Sequence, residues 1–223
     1  MDNQDSQIRS AFRGELGELR EILVQMAAFV ESMLAKAMEA LVNQDYDLAE
    51  EVRLSDDIAD RMDLAVEELA VRLLALQQPL ARDLRAITAA LRMTADLERV
   101  GDYAKDIAKV ARRLKDEPYH WPLEDIPTMG TKARAMVRDA MKCFVDRDLD
   151  LARDVARRDD EIDALLKRLS QQLMDHMRAD PANVYQATYL LLVARYLERI
   201  GDHTVNVVER VSYIETGRLE HLV

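Results

Sequence analysis

The sequence LERVGD at positions 97–102 recurs almost unchanged as LERIGD at positions 197–202, 100 residues further along the chain. Each copy carries a Glu and an Asp four residues apart, with a Gly immediately before the Asp. A duplication of this period divides the 223 residues into two units of ordinary domain size. The sequence therefore predicts two copies of one structural unit.

The composition favours helices in both units. Hydrophobic residues make up 49% of the chain and charged residues 33%, whereas there are only six Gly and five Pro. This balance suits long helices better than strands or disordered segments, so we expect an all-α fold. The net charge of −11 would repel nucleic-acid phosphates and anionic lipids. We therefore expect no direct nucleic-acid binding and favour cations and proteins as partners.

Several features of the sequence indicate a cytoplasmic protein. The longest stretch without charge, residues 181–194, is shorter than the roughly 20 residues that a membrane-spanning helix needs. Charged residues interrupt the first 30 positions, where a signal peptide would carry an apolar run. The single cysteine, Cys143, cannot form a disulfide within the chain. We expect no membrane insertion.

Apolar residues recur at helical spacing along three successive segments of each half. The expected helices cover about 8–42, from after 45 to 76, 82–114, 131–145, 149–177 and 182–214. In the first helix, one stripe is expected to face the core: Leu16, Leu19, Leu23, Met26, Val30, Met33, Leu34, Ala37 and Leu41.

Proline residues interrupt the helical pattern between the halves, at Pro118, Pro122 and Pro127. We therefore predict two tandem repeated three-helix bundles with long antiparallel helices. The first bundle is predicted to span residues 1–115 and the second residues 131–223, with a Pro-rich linker at 116–130.

Each half carries acidic residues four positions apart on two of its predicted helices. Residues at this spacing lie about 5–6 Å apart on one helix face, so their carboxylates can bind one cation. Two such pairs could enclose a metal cluster. The candidate metal ligands are Asp56, Asp60, Glu98 and Asp102 in the first half, and Asp159, Asp163, Glu198 and Asp202 in the second.

Solvated acidic faces are the main alternative to a metal site. With 42 Asp and Glu among 223 residues, chance alone gives roughly eight acidic pairs at this spacing. The recurrence at matched places favours ligands, because like charges four apart destabilise a helix. Helical geometry places Glu198 and Asp202 beside the core and not inside it. Arg195 and Arg199 lie on the same side, so an arginine network could balance the acids without a metal.

Other residues near the motifs add further candidates. Asp106 extends the first acidic row and Asn206 stands at the matching position of the second, so both are secondary candidate ligands. His203 points about 100° away from Asp202 and is a poor candidate. Gly101 and Gly201 are unfavourable inside a helix, which predicts that another helix approaches closely there.

The sequence lacks the common signatures of catalysis and cofactor binding. It contains no Gly-rich phosphate loop, no His-Glu-x-x-His zinc motif and no nucleophile elbow. A Glu-x-x-His pair, typical of di-iron bundles, occurs only at positions 117–120 and contains Pro118. We therefore expect no enzymatic activity.

With these motifs the chain resembles the PhoU family, the accessory proteins of phosphate-specific transport systems. The resemblance covers essentially the whole chain. Besides the two duplicated motifs, it rests on NQDYDLA at 43–49, QP at 78–79, DLR at 83–85, and GDH at 201–203 with Asn206 and Glu209.

The resemblance implies the predicted fold and a role in phosphate homeostasis. Such a protein would be a cytoplasmic homodimer that restrains the phosphate-starvation response when phosphate is plentiful. It would act by contact with the ATPase subunit of the phosphate transporter and with a phosphate-sensing histidine kinase. The family's acidic motifs, which bind multinuclear metal, correspond to the eight carboxylates named above. Carboxylate oxygens favour hard ions such as Mg, Mn, Ca or Fe.

Two other classes of function remain open on the sequence. A metal-dependent phosphohydrolase would use the cluster to activate water. A purely structural helical interaction module would carry the acidic residues as solvated faces. Metal content and turnover of a phosphate ester distinguish these alternatives from a regulator.

Overall fold

The computed structural model describes residues 2–116, 118–121 and 123–222, and this part of the chain contains helices but no strands. The prediction of an all-α fold is confirmed. Pro122 of the predicted linker lies outside the described residues. The helices are α1 (Asp2–Asn43), α2 (Tyr46–Gln77), α3 (Ala81–Arg113), α4 (Asp125–Asp146), α5 (Leu149–Ala179) and α6 (Val184–Thr216), with a short 3₁₀ turn at Pro181–Asn183 before α6.

The helices form two three-helix bundles. Helices α1, α2 and α3 pack against one another, as do α4, α5 and α6. Short turns join consecutive helices within each bundle, so neighbouring helices run antiparallel. The bundles also contact each other, because α3 packs along α6 and α1 packs along α4. The predicted tandem repeat is therefore confirmed, and its two units share an interface.

The core follows the apolar stripes of the sequence. All nine residues of the predicted stripe on α1 are buried, and Leu23, Val30 and Leu34 are fully inaccessible to solvent. Burying each such side chain contributes about 1.5–3 kcal/mol. Leu97 and Leu197 of the duplicated motifs are also buried, so each motif helix presents its apolar face to a core.

Aspartate residues begin the second helix of each bundle. Asp45 accepts a hydrogen bond from the backbone N–H of Leu48 at 3.0 Å. Asp148 accepts from the N–H groups of Asp150 and Leu151 at 3.0 and 2.9 Å. These bonds satisfy N–H groups that have no partner within the helix. The same cap therefore begins α2 and α5.

The segment between the bundles is shorter than the predicted linker. Helix α4 begins at Asp125, six residues before the expected start at residue 131. Pro127 is tolerated because it lies in the first turn, where backbone N–H groups have no partner within the helix. The segment is also anchored: Tyr119 Oη donates to the carbonyl of Leu41 at 2.6 Å, and Trp121 packs against His176.

None of the helices in the described ranges has a stretch that is both long and apolar enough to cross a bilayer.

The cap of α5 provides a test of local stability. We expect Asp148→Ala to lower the free energy of unfolding by about 1 kcal/mol, because two N–H groups lose their acceptor. Urea denaturation measures this change. Asp148→Asn retains an acceptor oxygen and should lose much less; equal losses in the two variants would contradict the capping role.

Candidate functional site

The structure brings the predicted acidic residues together in two clusters. Asp56 and Asp60 lie on α2 and face Glu98 and Asp102 on α3. In the second half, Asp159 and Asp163 on α5 face Glu198 and Asp202 on α6. We call these four-residue sets the first and the second acidic cluster. Each cluster bridges the second and third helices of its bundle.

The first acidic cluster contains an internal cation that the sequence analysis missed. The ammonium of Lys105 on α3 donates to Asp56 through a short hydrogen bond and to Asp102 Oδ1 at 3.1 Å. Burial opposes the charge of Lys105, but these two hydrogen bonds outweigh it and raise the pKa of Lys105. Its position three residues after Asp102 is a signal of this contact in the sequence.

Other carboxylates of the first cluster are less well compensated. Burial, followed by repulsion from Asp102, raises the pKa of Glu98. Burial and the charge of Asp56 likewise raise the pKa of Asp60. Arg99 donates to Asp102 Oδ2 at 3.1 Å from the solvent side. The cluster is thus partly neutralised by side chains of its own half.

The second acidic cluster has no lysine at the matching place. Val205 stands 100 residues after Lys105 and is buried. Positive charge comes only from the rim: Arg195 donates to Glu198 Oε1 at 2.5 Å, and Arg199 donates to Asp202 Oδ2 at 2.8 Å. The arginine network that the sequence left open as an alternative is therefore present; its hydrogen bonds go to carboxylates of α6, and its charges also act on Asp163 of α5.

Two carboxylate oxygens inside the second cluster lack a hydrogen-bond donor. Asp159 Oδ1 and Glu198 Oε2 are both buried without a hydrogen bond among the described residues. Arg199 Nε lies 3.6 Å from Glu198 Oε2, which is too long for a hydrogen bond. A buried carboxylate oxygen without a partner is destabilising, so these two atoms can accept a proton, a hydrogen bond from water or a cation.

The glycine of the duplicated motif makes room for one of these carboxylates. A Cβ atom at Gly201 would lie 2.1 Å from Asp159 Oδ1, far inside van der Waals contact. At Gly101 the nearest atom is Val30 Cγ1 at 3.3 Å, followed by Ala59 Cβ at 3.7 Å. Both glycines therefore allow close approach, as predicted. At Gly201 the approaching group is a candidate ligand.

Asp159 has the most perturbed acidity of the candidate ligands. Burial, followed by repulsion from Asp202, Asp163 and Glu198, raises the pKa of Asp159 to about 7. The pKa values of Asp163 and Glu198 are raised for the same two reasons. Asp159 therefore exchanges a proton near neutral pH, and a cation bound at the cluster would favour its charged form.

The burial of Glu198 differs from the position that helical geometry predicted for it. Its side chain is only 10% exposed, whereas Asp202 is 38% exposed. Glu198 was expected to flank the core, but α6 is covered by α3, α4 and α5, so more of its circumference is buried than in a surface helix.

The two secondary candidates lie outside the clusters. Asn206 donates to Asp96 Oδ1 on α3 at 3.0 Å, and His203 Nδ1 lies 2.9 Å from the same oxygen. Asp106 accepts from Lys109 at 2.7 Å. Asn206 therefore bonds across the interface between the bundles and does not join the second cluster.

A hard cation fits the second cluster better than the first. Within the described ranges, no group of three or more Asp, Glu, His or Cys side chains is arranged so that it could hold a metal ion. In the second cluster, however, an ion bound by oxygen atoms would suit the unpartnered oxygens of Asp159 and Glu198. The missing side chain at Gly201 leaves space for the Asp159 carboxylate. In the first cluster a metal would compete with Lys105.

The fold and the clusters together define a class of protein. Its members consist of two tandem three-helix bundles, and in each bundle carboxylates lie between the second and third helices. Comparison with known proteins identifies the same repeat. The family model described as the PhoU domain matches residues 23–111 and 126–211. The chain belongs to the PhoU family.

Relatives match over almost the full length. The chain is 42% identical over 211 residues to a phosphate-specific transport system accessory protein PhoU homolog of Clostridium acetobutylicum, covering 94% of this chain and 96% of that protein. A homolog of the same name from Aquifex aeolicus is 40% identical over 205 residues, covering 92% and 93% of the two chains.

Solved structures share the architecture. The crystal structure of PhoU from Pseudomonas aeruginosa superposes with a TM-score of 0.90 at 35% identity, covering 93% of this chain and 100% of that chain. The phosphate transport system regulatory protein PhoU from Streptococcus pneumoniae gives a TM-score of 0.86 at 31% identity, covering 94% and 99%.

The acidity of Asp159 predicts a pH-dependent stability. Its pKa is about 7 in the folded chain and about 3.9 in an unfolded one. The bound proton therefore stabilises the fold at low pH, and this stabilisation is lost as pH rises toward 7. In metal-free buffer, Asp159→Asn should be more stable than the parent chain at about pH 8, by about 1–2 kcal/mol after solvent screening. The difference should be much smaller near pH 5.

Urea denaturation in the presence of a chelator, at both pH values, measures this difference. Asp160→Asn is the matched control, because Asp160 is the exposed neighbour of Asp159 on α5. A difference between Asp159→Asn and the parent that does not change with pH would contradict the assigned acidity.

Proposed function

We propose that the chain is a cytoplasmic, non-enzymatic regulator of phosphate uptake and phosphate-starvation signalling. The observation that carries this proposal is the nearly full-length similarity to proteins named as accessory to phosphate-specific transport. An accessory protein acts through the components that it contacts. The proposed partners are the ATPase subunit of the phosphate transporter and a phosphate-sensing histidine kinase, bound by a homodimer of this chain when phosphate is plentiful.

We also propose that a hard metal ion binds the second acidic cluster. Asp159, Asp163, Glu198 and Asp202 would hold it, and Mg, Mn, Ca and Fe ions match oxygen ligands. The bound ion would supply positive charge to the two unpartnered oxygens on α5 and α6. Because the ligands lie on different helices, binding would hold α5 against α6 in one arrangement.

The first acidic cluster is a weaker site in this proposal. Lys105 already bonds two of its carboxylates, so an ion at Asp56 and Asp102 would have to displace an ammonium. Asp60 and Glu98 retain raised pKa values, caused mainly by burial, and would be the first to respond to added cation. We infer that the two halves differ in metal affinity.

Metal analysis of matched variants tests the unequal sites. The protein purified without chelator should contain metal by mass spectrometry, and Asp159→Asn should lose most of it, whereas Asp56→Asn should retain most. Restoring the ion at about a hundred times its Kd should raise the Tm of the stripped parent by about 5–10 °C. Absence of metal from the parent, together with no thermal shift on adding Mg, Mn, Ca or Fe ions, would exclude the metal site.

Capture of partners tests the regulatory role. The chain, used as bait in lysate from phosphate-replete cells of its own organism, should retain the transporter ATPase or the sensor kinase. The double variant Asp159→Asn with Glu198→Gln should retain roughly tenfold less if α5 and α6 must be held together for contact.

Two controls accompany the capture. Circular dichroism establishes that the double variant remains helical, and Asp56→Asn serves as a variant with an intact second cluster. Recovery of neither partner by the parent chain would contradict the regulatory proposal. Turnover of a phosphate ester that depends on the second cluster would replace it with a hydrolase.

A further inference from the structure

Two shallow grooves meet at the C-terminal end of α3, on a surface that neither acidic cluster uses. The first groove lies between the start of α2 and the end of α3 and has a volume of about 350 Å³. The second lies between α3 and α6 and has a volume of about 260 Å³. Lys109 and Arg113 line both grooves, so the two are continuous. We call this area the basic-aromatic surface and define it by Tyr46, Lys109, Arg112, Arg113, Tyr189 and Leu192.

The end of α3 concentrates positive charge in an acidic chain. Four of the seven residues at 109–115 are basic, whereas the whole chain has a net charge of −11. Asp106 accepts a hydrogen bond from Lys109 at 2.7 Å, and Glu50 lies 3.1 Å from Arg112. Glu50 also pairs with Arg53 at 2.6 Å, so one carboxylate serves two arginines. The neighbouring carboxylates therefore compensate this positive charge only in part.

Arg113 stands at the junction of the two grooves and is held by a tyrosine. Its Nη1 donates to Tyr189 Oη at 2.6 Å, and its guanidinium lies 5.2 Å from the centre of the Tyr189 ring. Within the described ranges, no Asp or Glu forms an ion pair with Arg113. A neutral tyrosine orients the guanidinium without cancelling its charge. This exposed cation is therefore ordered and accessible to a carboxylate of another molecule.

Comparison of the two halves shows that the fold does not require these cations. Cations in the last turn of a helix stabilise its dipole, which is one role for Arg112 and Arg113. The matching positions 100 residues further on hold Ser212 and Tyr213, and α6 has no basic residue in its last turn. Helix stability alone therefore does not account for the basic residues at the end of α3.

Aromatic and aliphatic side chains are exposed beside the cations. Tyr46 lines the first groove and Leu192 the second, and both are exposed to solvent. Tyr185 is also exposed and meets the edge of Tyr189, with ring centroids 5.0 Å apart. Aromatic residues and arginine are enriched in protein interfaces, above all among the residues that dominate the binding energy. The surface therefore has the composition of a protein-binding site.

The cations of the first groove are also ordered by an aromatic ring. Arg112 lies 5.1 Å from the centre of the Tyr46 ring and donates to the Tyr46 hydroxyl at 3.1 Å. Lys115 Nζ lies 4.7 Å from the centre of the same ring. Side chains that are already held in place lose less conformational entropy when a partner binds. The surface is thus organised before any contact is made.

We propose that the basic-aromatic surface binds an acidic segment of a protein partner. Carboxylates of the segment would pair with Arg113 and Lys109, and one of its apolar side chains would contact Leu192 in the second groove. The rest of this acidic chain would repel the same segment, so the charge pattern directs the partner to the end of α3.

Binding at this surface would involve both halves of the molecule. The segment would contact α2 and α3 of the first bundle and α6 of the second. The partner would therefore recognise the arrangement of the two bundles and not one helix alone. This inference rests on the proposed function, since it names the surface and the chemistry of a contact that an accessory protein would make.

Fluorescence anisotropy with the full chain and a labelled acidic peptide tests the proposal. The probe is a synthetic peptide of about twelve residues that consists of Asp and Glu with two Leu, and the control peptide has Asn and Gln in place of Asp and Glu. The parent chain should bind the acidic peptide saturably and the control peptide at least about tenfold more weakly. Raising the salt concentration from about 0.05 to 0.5 M should weaken binding, because the paired charges are exposed.

Two variants separate the charged contact from the apolar one. Arg113→Gln should weaken binding of the acidic peptide by at least about tenfold, because Arg113 lines both grooves. Leu192→Gln should weaken it by about fivefold without changing its salt dependence, because only apolar contact is lost. Both side chains are exposed, so the variants should fold like the parent, which circular dichroism establishes. Arg153→Gln is the matched control, since Arg153 is exposed, pairs with Asp150 at 2.7 Å and lies near the start of α5, at the far end of the second bundle from the start of α6.

Three results of the anisotropy experiment would overturn the assignment: no saturable binding of the acidic peptide, equal binding of the uncharged peptide, or equal binding by Arg113→Gln and the parent. Sedimentation with phosphatidylglycerol vesicles examines an anionic membrane as the alternative occupant. The parent should stay in the supernatant; sedimentation of the parent that Arg113→Gln abolishes would assign the surface to a membrane instead.

The peptide experiment is separate from the capture of partners, because the chain is tested alone with a synthetic probe. Successful capture of a transporter ATPase or sensor kinase without peptide binding would reject this surface and leave the regulatory role standing. Peptide binding without capture would contradict only the regulatory role.

Discussion

The packing of α3 against α6 is the contact on which the rest of the molecule depends. Each of these helices carries one copy of the duplicated motif, completes the core of its own bundle and forms the main interface with the other bundle. One face of α3 therefore packs against α2, which carries the other half of the first acidic cluster, and another face packs against α6. In the same way, α6 packs against α5 and against α3. Gly101 allows the close approach of Val30 on α1 and Ala59 on α2, and Gly201 allows that of Asp159 on α5.

The duplication is visible in side-chain pairs across that interface. Tyr103 of α3 stacks on Tyr196 of α6 with ring centroids 5.8 Å apart. His203 of α6 contacts Asp96 of α3 at 2.9 Å. These pairs join matched positions, because 103 corresponds to 203 and 196 to 96 in the 100-residue repeat. The interface thus follows the symmetry of the repeat, although the pair of Tyr103 and Tyr196 is aromatic and the pair of His203 and Asp96 is polar.

The two acidic clusters differ because their positive charges differ. Comparison of positions 100 residues apart shows that Val205 stands in the second half where Lys105 stands in the first. The sequence alone therefore indicated that the second half lacks this internal cation. The consequence for Asp159 could not be predicted in the same way. Its raised pKa depends on burial between α5 and α6 and on carboxylates that lie about 40 residues further along the chain.

The sequence alone determined the repeat, the approximate helices and the carboxylates that meet between them. Periodicity and spacing are local properties, and in an α-helix they directly determine which residues share a face. The start of α4 at Asp125 was not predicted, since proline ends a helix in its interior but is tolerated in its first turn. Only the tertiary structure decided that Glu198 is buried and that Tyr46 and Tyr189 lie beside the arginines at the end of α3. Burial and charge balance depend on distances between residues remote in sequence, which packing sets.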